Sequence, residues 1–322
     1  MRSHPWWVIP RLAEGGSDVT MWTLKQVSKY PMSNFQSSVR PRRSLLFVPG
    51  LRPDRYRKAL DAGADIVCID LEDAVAGPRK AEARELTMPL FGQDSHPHVE
   101  RMVRINGLST PDGLKDLTAI IESDSPPPSI MIPKIRSAEE VQLIETLLSA
   151  GAARAVRFCV IVETNQALEH AVDIARSSQR VDSMILGAVD MSADLRCEKA
   201  WEPLLYTRSR LVHAAATAGI DLLDVPYLNL DDPDGLKQEA SGCARLGFTG
   251  KASIHPNQIP IINSVFTPDA KAVERARKIC AAFENDDTGL VVVDGELIEL
   301  PVVRSMYRVL AIAERSAAKV GS

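Results

Sequence analysis

The chain has 322 residues, of which 45% are hydrophobic and 25% charged, with a formal net charge of −4. That balance is expected of a globular protein in water, and it offers no whole-surface attraction for nucleic acid or an anionic membrane. Any anion site must be a local cluster of Arg and Lys, and no apolar run reaches the roughly 20 residues that cross a bilayer.

Residues 1–42 read as an N-terminal arm with no clean periodicity and no continuous apolar core of a secretory signal. No catalytic role is assigned to it. From Arg43 a short apolar, β-branched run followed by a helical stretch recurs. The runs are 44–48, 66–71, 102–105, 130–133, 156–162, 183–186, 222–225 and 252–254. Between them lie amphipathic segments, such as 138–150 with Val141, Ile144, Leu147 and Leu148 on one face. Strands that are apolar throughout, each followed by a helix, imply a parallel sheet covered by helices. Eight without a long break predict a closed (β/α)8 TIM barrel over 43–265. The remainder, 266–322, reads as a C-terminal helical extension. It has helices near 268–284 and 302–319, turn signals at Thr288-Gly289 and Asp294-Gly295, and an expected contact with a neighbouring subunit.

The five cysteines, Cys68, Cys159, Cys197, Cys243 and Cys280, show no CxxC spacing, so neither a disulfide framework nor a zinc site is indicated. Cys68 and Cys159 lie in strand-like runs as small core residues. This fits a reducing, cytoplasmic setting.

In such a barrel, chemistry sits where strands end and βα loops begin. The unusual polar residues fall there: Asp70, Glu72 and Asp73 after strand two, then Arg104, Lys134, Glu163, Asp190, Asp224 and His255 after strands three to eight. Glu163 and Asp190 end consecutive strands. Two carboxylates completed by water and substrate oxygens are a usual way to hold Mg2+; taken singly, each is as readily a helix cap or a local ion pair. Arg104 either neutralises the neighbouring acids or clamps a small carboxylic acid through two hydrogen bonds. Arg52, Arg55 and Lys58, with Arg57, form a basic patch after the first strand. It reads as a solvated helix face or as capture of a phosphorylated carrier such as coenzyme A. His255 is placed behind the reacting groups. No GxGxxG, GxxxxGK[ST] or GxSxG motif marks the relevant positions, which argues against the common nucleotide folds and a serine hydrolase.

These residues resemble a known family. The runs RSLLFVPG (43–50), DLEDAV (70–75) with Lys80 and Arg84 behind it, VRIN (103–106), IPK (132–134), ET (163–164), GAVD (187–190) and GKASIHP (250–256) are similar to those of the citrate lyase β-subunit-like proteins of the HpcH/HpaI aldolase superfamily. The likeness covers about residues 43–313. It implies a homotrimeric barrel with Mg2+ on Glu163 and Asp190 and an acyl-CoA at the mouth. Arg104 would then touch the reacting acid, and Lys134 would join Arg52, Arg55 and Lys58 in binding substrate. A C-terminal carboxylate reaches across the subunit interface as acid or base; here that position is Glu299, with Glu72 or Asp73 as the groups to act in its place. Three runs depart from the family pattern: NQA (165–167), DMSADLR (190–196), and ELP (299–301), where Glu stands for the usual Asp. The activity implied is cleavage of a 3-hydroxyacyl-CoA, citramalyl-CoA first, to acetyl-CoA and pyruvate. The alternatives are a malyl-CoA lyase, a malate-synthase-like thioesterase, and a citrate lyase β subunit acting on a carrier-protein thioester.

Overall fold

A computed structural model of the chain describes residues 41–93, 96–285 and 290–320. Nearly all of the expected arm, and the Thr288-Gly289 turn signal, lie outside the described residues. Eight parallel strands close into a barrel in sequence order: β1 (Ser44–Pro49), β2 (Ile66–Asp70), β3 (Glu100–Arg104), β4 (Ser129–Ile132), β5 (Arg157–Val162), β6 (Val181–Leu186), β7 (Asp221–Asp224) and β8 (Gly250–Ser253), with β8 pairing back onto β1. The TIM barrel expected from the apolar runs is therefore present, each strand beginning and ending within two residues of its run.

The helices that matter for the site are α1 (Pro53–Leu60), α2 (Lys80–Thr87), α3 (Pro111–Ile121), α4 (Ala138–Leu147), α5 (Asn165–Glu169), α6 (Ala171–Arg176), α7 (Ala188–Leu195), α8 (Leu205–Ala218), α9 (Pro233–Leu246) and α10 (Ile259–Phe266). Successive side chains on a strand face opposite ways, so each strand divides into two sets. Val67 and Ile69 of β2 join the large core beneath the helices, whereas Ile66 and Cys68 join Leu45, Met102, Met131, Cys159, Ile161 and Ile185 inside the barrel. Continuing the inward set by two residues brings Phe47, Asp70, Arg104, Glu163 and Gly187 to the carboxyl-terminal mouth. The alternation that fills the core with apolar groups thus aims the polar ones at the site.

The opposite end is closed by a polar plug. Arg42 donates through Nε to Glu100 Oε2 (2.8 Å), through Nη2 to Asp182 Oδ2 (2.5 Å) and through Nη1 to the Asp182 carbonyl (2.9 Å). Glu100 Oε1 also accepts from Ser129 Oγ at 2.6 Å, and Arg157 donates to Asp182. The Arg42 side chain is 3% exposed. Removing one partner of a buried ionic network strands the others, a loss of about 3–5 kcal/mol. Arg42→Ala is expected to lower the urea unfolding free energy by that amount while leaving the activity per folded molecule unchanged.

A second compact unit, residues 271–312, contains most of α11 (Ala270–Glu284), the antiparallel strands β9 (Leu290–Val293) and β10 (Glu296–Glu299), and the start of α12 (Leu300–Val320). The hairpin was not legible as strands. Its turn is Asp294-Gly295, with φ of 51° and 83°, the positive values that a two-residue hairpin turn demands. Val291, Val293 and Ile298 bury one face against Ile279, Phe283, Val303 and Tyr307. Leu290, Val292 and Leu297 of the other face are exposed.

Candidate active site

The mouth of the barrel holds a cavity of about 610 Å³. Its walls divide by chemistry. Phe47, Ile161, Ile185, Val225 and Leu228 supply an apolar side, and Asp70, Asp73, Arg104, Glu163 and Asp190 a charged one.

Arg104 is held from several directions. Nε donates to Asp70 Oδ1 (2.8 Å) and Nη2 to Asp70 Oδ2 (2.5 Å), while Nη1 lies 3.3 Å from Asp73 Oδ2. Its guanidinium also stacks 5.2 Å from the centre of the Phe47 ring. The two-point clamp fixes the plane of the guanidinium and uses two of the five N–H donors that the group carries. Asp70 in turn accepts the backbone N–H groups of Glu72 and Ala74 (2.8 and 3.1 Å). Lys80 Nζ donates to the Leu71 and Glu72 carbonyls (2.8 and 2.5 Å), pinning the acidic loop. Arg84 serves the next loop instead, through Asp116, which also receives the backbone and side-chain N–H groups of Asn106.

Glu72 is buried behind Arg104. Arg104 Nη1 is 3.1 Å from Glu72 Oε2, yet that oxygen has no well-aligned hydrogen bond, so the contact is an ion pair only. Burial pushes the Glu72 carboxyl up to about 7, against the opposing pull of Arg104.

Glu163 and Asp190 do converge. Glu163 is 2% exposed at the end of β5, and Asp190 stands in the first turn of α7. Gly187 makes the approach possible: a Cβ there would lie 2.5 Å from Glu163 Cβ and 2.9 Å from Oε2. The Lys134 amide donates to Glu163 Oε1 (2.7 Å), and Lys134 Nζ lies 3.3 Å from Glu163 Oε2 and 2.7 Å from Asp190 Oδ2. Lys134 holds φ of 59°, a conformation costly for a residue with a Cβ and common at functional sites. Burial raises the Glu163 carboxyl to about 7, and Asp190 is lowered by the Lys134 and Glu163 hydrogen bonds that outweigh its own desolvation.

Among the described residues no group of three or more His, Cys, Asp and Glu side chains forms a ready-made metal cage. The donor set nevertheless fits a hard divalent cation that keeps open positions. Two carboxylates meet, and a cationic ammonium already sits between them. Mg2+ is commonly held by one or two carboxylates with water and substrate completing the shell.

The remaining expected residues divide. Arg55 and Lys58 line the cavity, whereas Arg52 turns onto Asp54 at 2.8 Å and Arg57 onto Gln93 at 3.0 Å. His255 lines the cavity and its Nδ1 accepts the Asn257 N–H (3.2 Å), capping the next turn. The two unusual runs after the carboxylates are joined to each other: Asp194 Oδ2 accepts the Asn165 N–H at 2.5 Å, and Thr164 Oγ1 accepts that of Ala167. Glu299 is exposed at the end of β10. Of the two readings of Arg104, the pairing with neighbouring acids is present, with Asp70 as its two-point partner. The sequence did not reveal the fully buried Lys251, whose Nζ donates to Asp224 Oδ2, Glu239 Oε1 and the Val225 carbonyl, each at 2.6 Å. Alternation along β2 was the available signal for Asp70. None marked the Lys251 network.

The carboxyl shifts set a pH dependence for the metal-free protein. Glu72 and Glu163 both rise from 4.5 to about 7 on folding, so the folded state binds more protons between those values. Their contribution to stability is fully present below pH 4.5 and lost as pH rises through about 7. In EDTA, the melting temperature is expected to fall by a few degrees between about pH 6 and about pH 8, with Mg2+ affinity rising over the same window. A flat or rising Tm would contradict this assignment.

The closed barrel thus carries a fixed arginine and a two-carboxylate corner at its carboxyl-terminal mouth, where barrel enzymes place their chemistry. The HpcH/HpaI aldolase/citrate lyase family model matches residues 43–256, and the chain belongs to that family. It is 32% identical over 285 residues to the citrate lyase subunit beta of Leuconostoc mesenteroides subsp. cremoris, covering 85% of this chain and 94% of that one. It is 33% identical over 303 residues to the L-malyl-CoA/beta-methylmalyl-CoA lyase of Cereibacter sphaeroides, covering 85% and 95%. Among solved structures it is similar to CitE from Mycobacterium tuberculosis in complex with magnesium, acetoacetate and coenzyme A, with a TM-score of 0.68, 31% identity, and 86% and 99% of the two chains covered.

Proposed function

We propose that the protein is a Mg2+-dependent carbon–carbon lyase that cleaves a 3-hydroxyacyl-CoA, citramalyl-CoA first among candidates, to acetyl-CoA and pyruvate. The observation that carries this reading is the clamped Arg104 sharing one cavity with the converging Glu163 and Asp190. Relatives named as lyases of CoA thioesters, and a neighbour crystallised with magnesium and coenzyme A, support it.

Glu163 and Asp190 would hold the ion. When bound, Mg2+ supplies Lewis acidity toward the hydroxyl and carboxylate oxygens of the substrate. The hydroxyl loses its proton to a carboxylate base, the bond between the carbinol carbon and the thioester α-carbon breaks, and its electron pair becomes the acetyl-CoA enolate. Arg104, already oriented by Asp70, stabilises that charge. A carboxylic acid then returns a proton to the α-carbon. Glu299 from a neighbouring subunit is the proposed donor, with Glu72 or Asp73 as the groups in its own chain. The value of about 7 for Glu72 suits such an exchange. Arg55 and Lys58 would receive the carrier's phosphates, with Arg52 able to join them on leaving Asp54. The exposed apolar face of the β9–β10 hairpin supports a subunit contact, within a homotrimer, through the C-terminal unit. Five free thiols suit the cytoplasm.

The test is to incubate purified protein with citramalyl-CoA and with malyl-CoA and to quantify pyruvate, glyoxylate and free CoA separately. Pyruvate with acetyl-CoA supports the proposal, and glyoxylate keeps the chemistry while changing the acid. Free CoA without an oxo acid identifies a thioesterase. No turnover of free CoA thioesters, with turnover of a carrier-protein thioester, identifies a citrate lyase β subunit.

A further inference from the structure

We propose that Lys134 is a tethered counter-cation that occupies the divalent-cation position and competes with the metal for Glu163 and Asp190. The inference rests on the metal reading above. Its ammonium lies 2.7 Å from Asp190 Oδ2 and 3.3 Å from Glu163 Oε2. Mg2+ bonds carboxylate oxygens at about 2.0–2.1 Å, so an ion bonded to these same two oxygens would lie against the like-charged ammonium. Their repulsion favours displacement of one by the other.

The backbone is arranged for such an exchange. The Lys134 amide donates to Glu163 Oε1 at 2.7 Å, a bond that does not depend on the ammonium. The backbone holds a positive φ of 59° here, and the ammonium reaches both carboxylates. The side chain is 36% exposed, and its flexible four-carbon stem has room to swing away while the amide stays in place. The charges nearby explain why a cation is needed in the empty state. Among the described residues, Asp70, Glu72, Asp73, Glu163 and Asp190 form their ion pairs with Arg104 and Lys134. Arg104 is already committed to the acids of the β2 loop, which leaves Lys134 to offset the other two. Lys134 thus preserves the two-carboxylate geometry before metal arrives, at the expense of metal affinity.

The test is calorimetric titration of Mg2+ into metal-free wild type, Lys134→Met, Lys134→Gln and Asp190→Asn at about pH 8, where buried carboxyls with values near 7 are largely ionised. It is paired with thermal melts in EDTA. Both Lys134 variants are expected to bind Mg2+ at least about fivefold more tightly than wild type, to melt lower in EDTA, and to gain more from Mg2+ on melting. Gln retains a donor toward Asp190, so it keeps the test usable if the Met variant does not fold. Wild-type or weaker Mg2+ affinity in the Lys134 variants, with binding lost in Asp190→Asn, would overturn the competition while leaving the metal site standing. Unchanged Mg2+ binding in Asp190→Asn would overturn the metal reading, and this inference with it.

Discussion

Asp190→Ala is expected to reduce kcat on the acyl-CoA substrate by roughly 10³-fold or more and to abolish the response to Mg2+. The side chain is 47% exposed and sits in the first turn of α7, so truncation opens no core cavity. The loss is therefore chemical rather than structural. Glu163 remains, but one carboxylate cannot hold a weakly bound, strongly hydrated ion as two can. In EDTA the variant is expected to be as stable as wild type, because Lys134 Nζ still has Glu163 within 3.3 Å. Steady-state kinetics over a Mg2+ series, with a melt in EDTA, checks both parts. Wild-type activity that still rises with Mg2+ would place the metal elsewhere.

Arg104→Lys is the second large effect, and its value lies in keeping the charge. Lysine cannot span both oxygens of Asp70 as Nε and Nη2 do at 2.8 and 2.5 Å, nor lay a planar group over Phe47. The expectation is a fall of about 10²–10³-fold in kcat with a smaller rise in KM, because a misplaced cation still attracts an anionic substrate but no longer meets the charge that develops on bond cleavage. If KM alone changes, Arg104 anchors the substrate without touching the reacting atoms. Arg104→Ala would be harder to read, since Asp70 and Glu72, 3% and 8% exposed, lose their partner.

The barrel was legible because its strands are apolar on both faces, a pattern that survives uncertainty of a residue or two at each end. The mouth was legible for a related reason: where the inward alternation of a buried strand switches from Cys68 to Asp70 or from Ile161 to Glu163, only function or a local ion pair explains the change. Longer-range pairing left no such trace. Arg42 meets Asp182 from 140 residues away, and Lys251 reaches Asp224 and Glu239 on different elements. The β9–β10 hairpin escaped notice because two strands of four residues beside a turn carry too short an alternation. Arg52 shows the converse failure: a basic run predicts charge at the mouth but not which side chains turn inward, which the helical positions of Arg55 and Lys58 decide.

The most direct test of the account is anomalous diffraction from crystals soaked in Mn2+, which takes oxygen ligands as Mg2+ does. A single peak is expected between the Glu163 and Asp190 carboxylates, with Lys134 Nζ withdrawn from both. A peak elsewhere in the barrel mouth, or none in crystals of active protein, would contradict the claim that these two carboxylates hold the catalytic ion.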